Sequence, residues 1–183
     1  TMDSIRGDVE ITLNSESGNE MHPERERKNI QKNNPLTEEL KKQIETLDGV
    51  ERVETYTGVS ASLEELQEDD GRPLDTALGG LSEAAMGELE RYVTDGSLDD
   101  ESLMDGTGII LSGSYIIAYP GADWKAGDKV HLNIKDGDDI IKKEYKIAAI
   151  VDAPNGLAGS GFTLPSSVLE DLCKNNVTDD FII

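Results

Sequence analysis

Apolar and polar residues alternate most regularly over 124–152, WKAGDKVHLNIKDGDDIIKKEYKIAAIVD. Val130, Leu132 and Ile134 alternate with Lys129, His131, Asn133 and Lys135, which is the period of a strand with one buried and one wet face. Ala126-Gly127-Asp128 and Asp136-Gly137-Asp138 read as turns, where glycine supplies positive φ without steric cost. Tyr145, Ile147, Ala149 and Val151 resume the alternation. A β-hairpin is therefore expected, running directly into a more buried strand.

Upstream, Val9, Ile11 and Leu13 alternate with polar residues and predict a first half-buried strand. Residues 15–34 are polar, with a mixed-charge run over 24–28, and read as a loop. The span 35–50 predicts a helix. Leu36, Leu40, Ile44 and Leu47 make one stripe, Asn34 or Thr37 can cap it, Pro35 suits a first turn, and Asp48-Gly49 ends it. A second strand follows, with Val53, Thr55, Thr57, Val59 and Ala61 on one face. Strand, helix and strand joined by short links make an α/β layer.

Residues 63–106 break this grammar, being acidic and rich in glycine. Gly71-Arg72-Pro73 is a break, and a short helix is expected from Leu81 to Tyr92 with Ser82 as its cap. Gly108-Ile109-Ile110-Leu111-Ser112 predicts a fully buried strand, and Tyr115 to Tyr119 a further one. After a Gly-rich loop over 153–161, Phe162-Thr163-Leu164-Pro165 leads into a helix on which Ser167 and Glu170 fit a capping box. Phe181-Ile182-Ile183 reads as a strand cut from a longer chain, so an excised domain with flanking segments is expected. Both ends repeat a strand beside a helix. The expected fold is α+β, a porter-like α/β subdomain from 1–63 and 150–183 with an inserted, mostly β subdomain over 64–149. Val130 to Ile134 should belong to the insert, and Ile147 to Val151 should lead the chain back.

Composition narrows the function. The 183 residues carry 38 acidic and 17 basic side chains, a net charge of −21. Such a surface repels phosphate backbones and anionic lipid, which excludes nucleic acid as a partner. One cysteine, Cys173, excludes an internal disulfide. No apolar run approaches the roughly 20 residues of a membrane helix.

Asp95, Ser97 and Asp99 have the spacing of the first three ligands of a calcium loop, but the sixth position is Asp100 and the twelfth Gly106, where Gly and Glu are required. Asp136, Asp138 and Asp139 sit on a turn without that pattern; a solvated acidic loop is expected for both clusters. His22 and His131 are the two histidines and lie in no zinc motif. His131 is expected on the wet face of its strand, and Cys173 as a buried, inert thiol. Neither Ser112-Gly113-Ser114 nor Gly159-Ser160-Gly161 forms a nucleophile elbow, and no phosphate-binding glycine pattern occurs. The expectation is therefore no catalytic, cofactor-binding or metal residue. Lys125, Lys129, Lys135, Lys142, Lys143 and Lys146 gather around the hairpin, and read either as guards of a strand edge or as a contact for an acidic partner.

Leu47-Asp48-Gly49-Val50-Glu51-Arg52-Val53, then Gly108 to Ser112, Gly127-Asp128-Lys129-Val130, Tyr145-Lys146-Ile147-Ala148-Ala149-Ile150-Val151-Asp152 and Leu164-Pro165-Ser166-Ser167 succeed one another along the chain. That succession resembles the extracytoplasmic, MacB-like periplasmic core domain of MacB/FtsX-family ABC transporter permeases. The resemblance is thinnest over 63–106. It implies a non-catalytic domain on the outer side of the cell membrane, between the first two transmembrane helices of a permease that works as a dimer. The implied partners are a separate ABC ATPase domain or subunit and an extracellular adaptor or substrate, with no cofactor in this part. The implied task is to carry ATP-driven motion to export, lipoprotein extraction or activation of an outside enzyme. A free-standing secreted or surface module that binds peptide or glycan is the alternative, and a metal-assisted enzyme the third.

Overall fold

The expected hairpin forms, and its two strands help to close a ring. A computed structural model describes residues 10–12, 35–119, 121–154, 161–174 and 180–182. The 15–34 loop with its charge run, His22, Gly159 and Ser160 of the Gly-rich loop, Asn175-Asn176 and the residues flanking the two terminal strands lie outside the described residues.

The strands are β1 (Glu10–Thr12), β2 (Glu54–Gln67), β3 (Pro73–Leu81), β4 (Val93–Gly96), β5 (Gly108–Ser112), β6 (Lys129–Asp136), β7 (Asp139–Val151), β8 (Phe162–Pro165) and β9 (Asp180–Ile182). The helices are α1 (Glu38–Glu45), α2 (Glu83–Leu89), α3 (Glu101–Asp105), α4 (Gly113–Ala118) and α5 (Ser166–Leu172). The fold is thus α+β, as the sequence predicts.

Pairing runs β2–β3–β8–β5–β7–β6 and returns from β6 to β2. Two of these contacts, β3 with β8 and β5 with β7, are parallel; the other four are antiparallel. Closure leaves most strands without a free edge. Alternation then decides what fills the interior. Val59, Ala61 and Leu63 of β2, Leu74 and Leu78 of β3, and Val130, Leu132 and Ile134 of β6 all belong to one core, with Tyr145, Phe162 and Leu164. A second apolar cluster lies on the other face of β5 and β7, where Ile110, Ala148 and Val151 meet Leu89 of α2 and Leu103 of α3. Strand β5 is covered on both faces, which explains its uninterrupted apolar run. The register shift between Ile109 and Ile110 against β7 does the same for Ile147 to Val151, turning Ile147 and Ile150 inward and Ala148 outward.

Outside the ring lies a lobe built from both chain ends. Strand β9 pairs with β1 on one side and with Glu54 to Tyr56 of β2 on the other. Helix α1 covers this leaf with its own small core of Leu36, Ile44 and Val53, flanked by Ile11, Leu40 and Val50. Thr37 caps α1 by accepting from the Leu40 N–H at 3.2 Å. Leu47, assigned to the apolar stripe in sequence, lies beyond the helix and is 58% exposed.

Several elements differ from expectation. Gly71-Arg72-Pro73 is the turn of a β2–β3 hairpin, and β3 was not foreseen. Tyr115 to Tyr119 is not a strand; helix α4 occupies Gly113–Ala118 so that the Tyr115 ring turns onto Phe162 at 5.4 Å and Tyr119 at 4.6 Å. Ser82 caps α2 as predicted, through the Ala85 N–H. The Ser167–Glu170 capping box does not form, because α5 starts directly at Ser166 after Pro165. The boundaries expected at 63/64 and 149/150 fall inside β2 and β7; β2 leaves β6 at Leu63 and pairs with β3 again at Gln67, while β7 stays paired with β5 across 149/150. Pairing is continuous from β1 through β9 and β2 to β6 and β7.

Candidate functional site

The densest polar constellation grows from an irregularity in β2. Its pairing with β6 ends at Leu63 and Leu132, and its register with β3 shifts between Leu63 and Gln67. The N–H of His131 therefore finds a side chain: the Glu65 carboxylate accepts it at 2.9 and 3.1 Å. The same carboxylate reaches His131 Nδ1 at 2.7 Å, while Glu144 of β7 reaches Nε2 at 3.2 Å and Lys129 Nζ at 2.6 Å. Lys142 and Glu64 extend the wall more loosely, at 3.9 Å. His131 lies on the wet face as expected, but between two carboxylates rather than alone.

The hydrogen bond that the Glu65 carboxylate accepts, then the Glu65 charge and the bond accepted by Glu144, raises the His131 pKa above 6.5; bonding to Lys129 lowers that of Glu144. The two carboxylates address opposite ring nitrogens, so they bracket the imidazole and do not converge on a common point. Among the described residues no group of three or more His, Cys, Asp or Glu side chains is arranged to hold a metal ion. A raised histidine pKa stabilises the fold fully below about pH 6.5, and that contribution is lost as pH rises through the folded value. The stability difference between the protein and His131→Ala is accordingly expected to be larger near pH 5.5 than near pH 8.5, to be read by urea denaturation at about those two values. An equal difference at both would separate His131 from its carboxylates.

The acidic residues that suggested calcium serve local geometry. Asp95 accepts from the Gly96 N–H and from the Ala126 N–H at 2.9 Å, joining β4 to the turn before β6. Ser97 accepts from the Asp99 N–H. Asp100 caps α3 through the Ser102 N–H and pairs with Lys146 Nζ at 2.7 Å; those bonds, Lys146 first, bring its pKa down to about 2. Asp136 is buried, and Asp139 faces it across the hairpin turn. Cys173 is buried, and desolvation pushes its thiol up to about 11.

The lysines divide. Lys129 and Lys135 lie on β6 outside the three residues that pair with β2, where β7 is the one strand partner among the described residues. Lys142 and Lys143 lie where β7 has β6 as its one strand partner among the described residues. Lys143 stands over the Tyr145 ring at 5.1 Å. Lys129, Lys142 and Lys146 are turned to carboxylates of the chain itself.

A groove of about 650 Å³ separates the terminal lobe from the ring. Lys41, Arg52 and Thr55 form its lobe wall. Glu83 of α2, with Ser166 and Glu170 of α5, forms the ring wall. Sequence reasoning missed it, because its walls come from three separated stretches. Among the described residues no helix is long and apolar enough to cross a membrane.

No family model and no curated protein sequence matches this chain. Solved structures with a similar fold include the extracellular domain of the noncanonic ABC-type transporter YknZ from Gram-positive bacteria. It is 17% identical over 84% of this chain and 76% of that one, with a TM-score of 0.49. The periplasmic region of MacB from Actinobacillus actinomycetemcomitans is 12% identical, with a TM-score of 0.46. That match covers 77% of this chain but 61% of the MacB region.

Proposed function

We propose that the chain is the extracytoplasmic domain of an ABC transporter permease of the MacB/FtsX type. The observation that carries this is the pairing of β1 with β9. Glu10 lies opposite Ile182 in an antiparallel register, so the start of β1 and the end of β9 lie side by side. Paired strand residues sit about 5 Å apart, close enough for two membrane helices packed about 8–10 Å apart to be reached without long connectors. The five stretches that carry the family resemblance also occupy the frame. They form the joint from α1 to β2, the doubly covered β5, the turn into β6, the second half of β7, and the joint from β8 to α5.

In this reading the domain performs no chemistry. It receives motion from a separate ATPase through the membrane part and passes it to an outside adaptor or substrate, within a dimeric permease. Its acidic ring, not a catalytic centre, is the surface offered outside.

The test is the full reading frame with reporter fusions. One membrane span is expected upstream of residue 1 and one downstream of residue 183, with reporters inside the domain active only on the outer side. The isolated chain should show no heat of binding with ATP. A cleaved signal peptide upstream with no second span would overturn the proposal in favour of a free-standing surface module.

A further inference from the structure

The groove between lobe and ring has walls of opposite charge. Lys41 and Arg52 stand on the lobe side, Glu83 and Glu170 on the ring side. Lys41, Glu83 and Glu170 make no ion pair among the described residues. Arg52 already spans the gap, since it meets Glu88 of α2 at 2.8 Å with both side chains about half exposed. The lobe has an apolar core separate from that of the ring, so it can move as a unit.

The strand that joins them is weakest at the crossing. Strand β2 exchanges partners there: Tyr56 is the last residue paired with β9, and Thr57 the first paired with β3. At that point Thr57 faces Gly80, and Gly58 faces Gly79. A glycine pair across two strands provides no side-chain packing to stiffen the ladder. The Tyr56 ring lies over Gly79 instead, and a Cβ there would stand 2.7 Å from its hydroxyl.

We infer that the groove is a gap that closes. The lobe of β1, α1 and β9 swings on β2 about the Gly58–Gly79 pair and brings Lys41 and Arg52 toward Glu83 and Glu170. Opposite charges across a few ångströms of solvent favour the closed form modestly, and salt weakens that preference. Because the lobe holds both β1 and β9, its swing is the movement by which membrane motion reaches the ring. That use rests on the permease reading; the closure itself does not.

The chain with Lys41→Cys and Glu170→Cys tests it. A disulfide requires the two Cα atoms to approach to about 5.5 Å, so the crosslink reports the approach of the two walls. The native Cys173, buried and with its thiol pushed up to about 11, does not compete. Mild oxidation is expected to give an intramolecular crosslink, with trapping slowed about threefold or more by ~0.5 M salt or by Glu83→Lys. Failure to crosslink while both thiols alkylate freely would overturn closure, and a crosslink indifferent to salt and to Glu83→Lys would overturn its electrostatic origin. Trapping in a chain whose gene lacks the two flanking spans would keep the closure and remove its role in the membrane.

Discussion

Gly108→Ala is expected to destabilise the fold by about 3 kcal/mol or more, a large share of the 5–15 kcal/mol typical of a domain. Gly108 opens β5 directly beneath α3, whose Ser102 presses on it. An added Cβ would meet the Ser102 hydroxyl at an impossible separation, its carbonyl carbon at 2.8 Å and its Cβ at 2.9 Å. Two of those contacts belong to the helix body and cannot rotate away. Helix α3 is itself held by Asp100, through the Ser102 N–H and Lys146, and by the Thr107 N–H donating to the Ser102 carbonyl. Moving α3 would therefore disturb the outer apolar cluster at Leu103 and Ile110. The matched control is Gly87→Ala in α2, where nothing lies within 4 Å of the new methyl. There the same substitution should stabilise by about 0.5–1 kcal/mol, through helix propensity and a less flexible unfolded chain. Urea denaturation of the two variants should give midpoints displaced in opposite directions. A neutral Gly108→Ala would mean that α3 is not seated on β5.

What the sequence makes legible here is local period. The hairpin of β6 and β7, the apolar run of β5, the stripe of α1 and the Ser82 cap each declare themselves within a dozen residues, because one buried face imposes one period. Strand β3 carries the same signal in Leu74, Thr76 and Leu78, but acidic and glycine-rich neighbours conceal it. Helix α4 shows the reverse failure. Tyr115-Ile116-Ile117 has strand-favouring side chains, yet the Tyr115 ring has to stack on Phe162 from a distant strand, and that contact selects the helix. Long-range pairing also explains the bracketed His131. Its alternation is visible, but Glu65 and Glu144 reach it only because β2 leaves its register after Leu63. The groove is less legible still, since Lys41, Glu83 and Glu170 meet only through the order of strands in the ring. Strands β1 and β9 and helix α1 form one lobe, whereas α5, the helix of the C-terminal strand-and-helix pair, packs on β3 and β8 of the ring. The middle of the chain shares the ring with β2 and β8, so the ends and the middle are not separable by sequence position.

The charge balance follows from the same geometry. A chain with 21 more acidic than basic residues repels itself, and the fold answers locally. Carboxylates of Asp95, Asp100 and Asp105 are turned onto backbone N–H groups at strand and helix ends. Lys129, Lys142 and Lys146 are turned onto Glu144, Glu64 and Asp100 in turn. In the groove, Lys41 on one wall and Glu83 and Glu170 on the other line a gap yet remain apart.

Tyr145→Phe is expected to raise stability by about 1 kcal/mol, whereas Tyr145→Ala should lower it by about 3–5 kcal/mol. The ring of Tyr145 has no exposed surface and is among the largest fully buried side chains of the ring's core. Removing it opens a cavity among Val130, Ile147 and Phe162 that closed strand pairing cannot collapse. Its hydroxyl, in contrast, is buried with no hydrogen-bond partner among the described residues, and desolvation pushes its pKa up. A phenol oxygen stripped of water and given nothing in return is a cost to the native state that phenylalanine does not carry. The Lys143 ammonium 5.1 Å above the ring is held by its π face, which phenylalanine also offers, so the substitution isolates the hydroxyl. Urea midpoints at unchanged slope would read both variants. A loss of about 1 kcal/mol in Tyr145→Phe would assign the hydroxyl a partner, and in a core this closed that partner is a buried water.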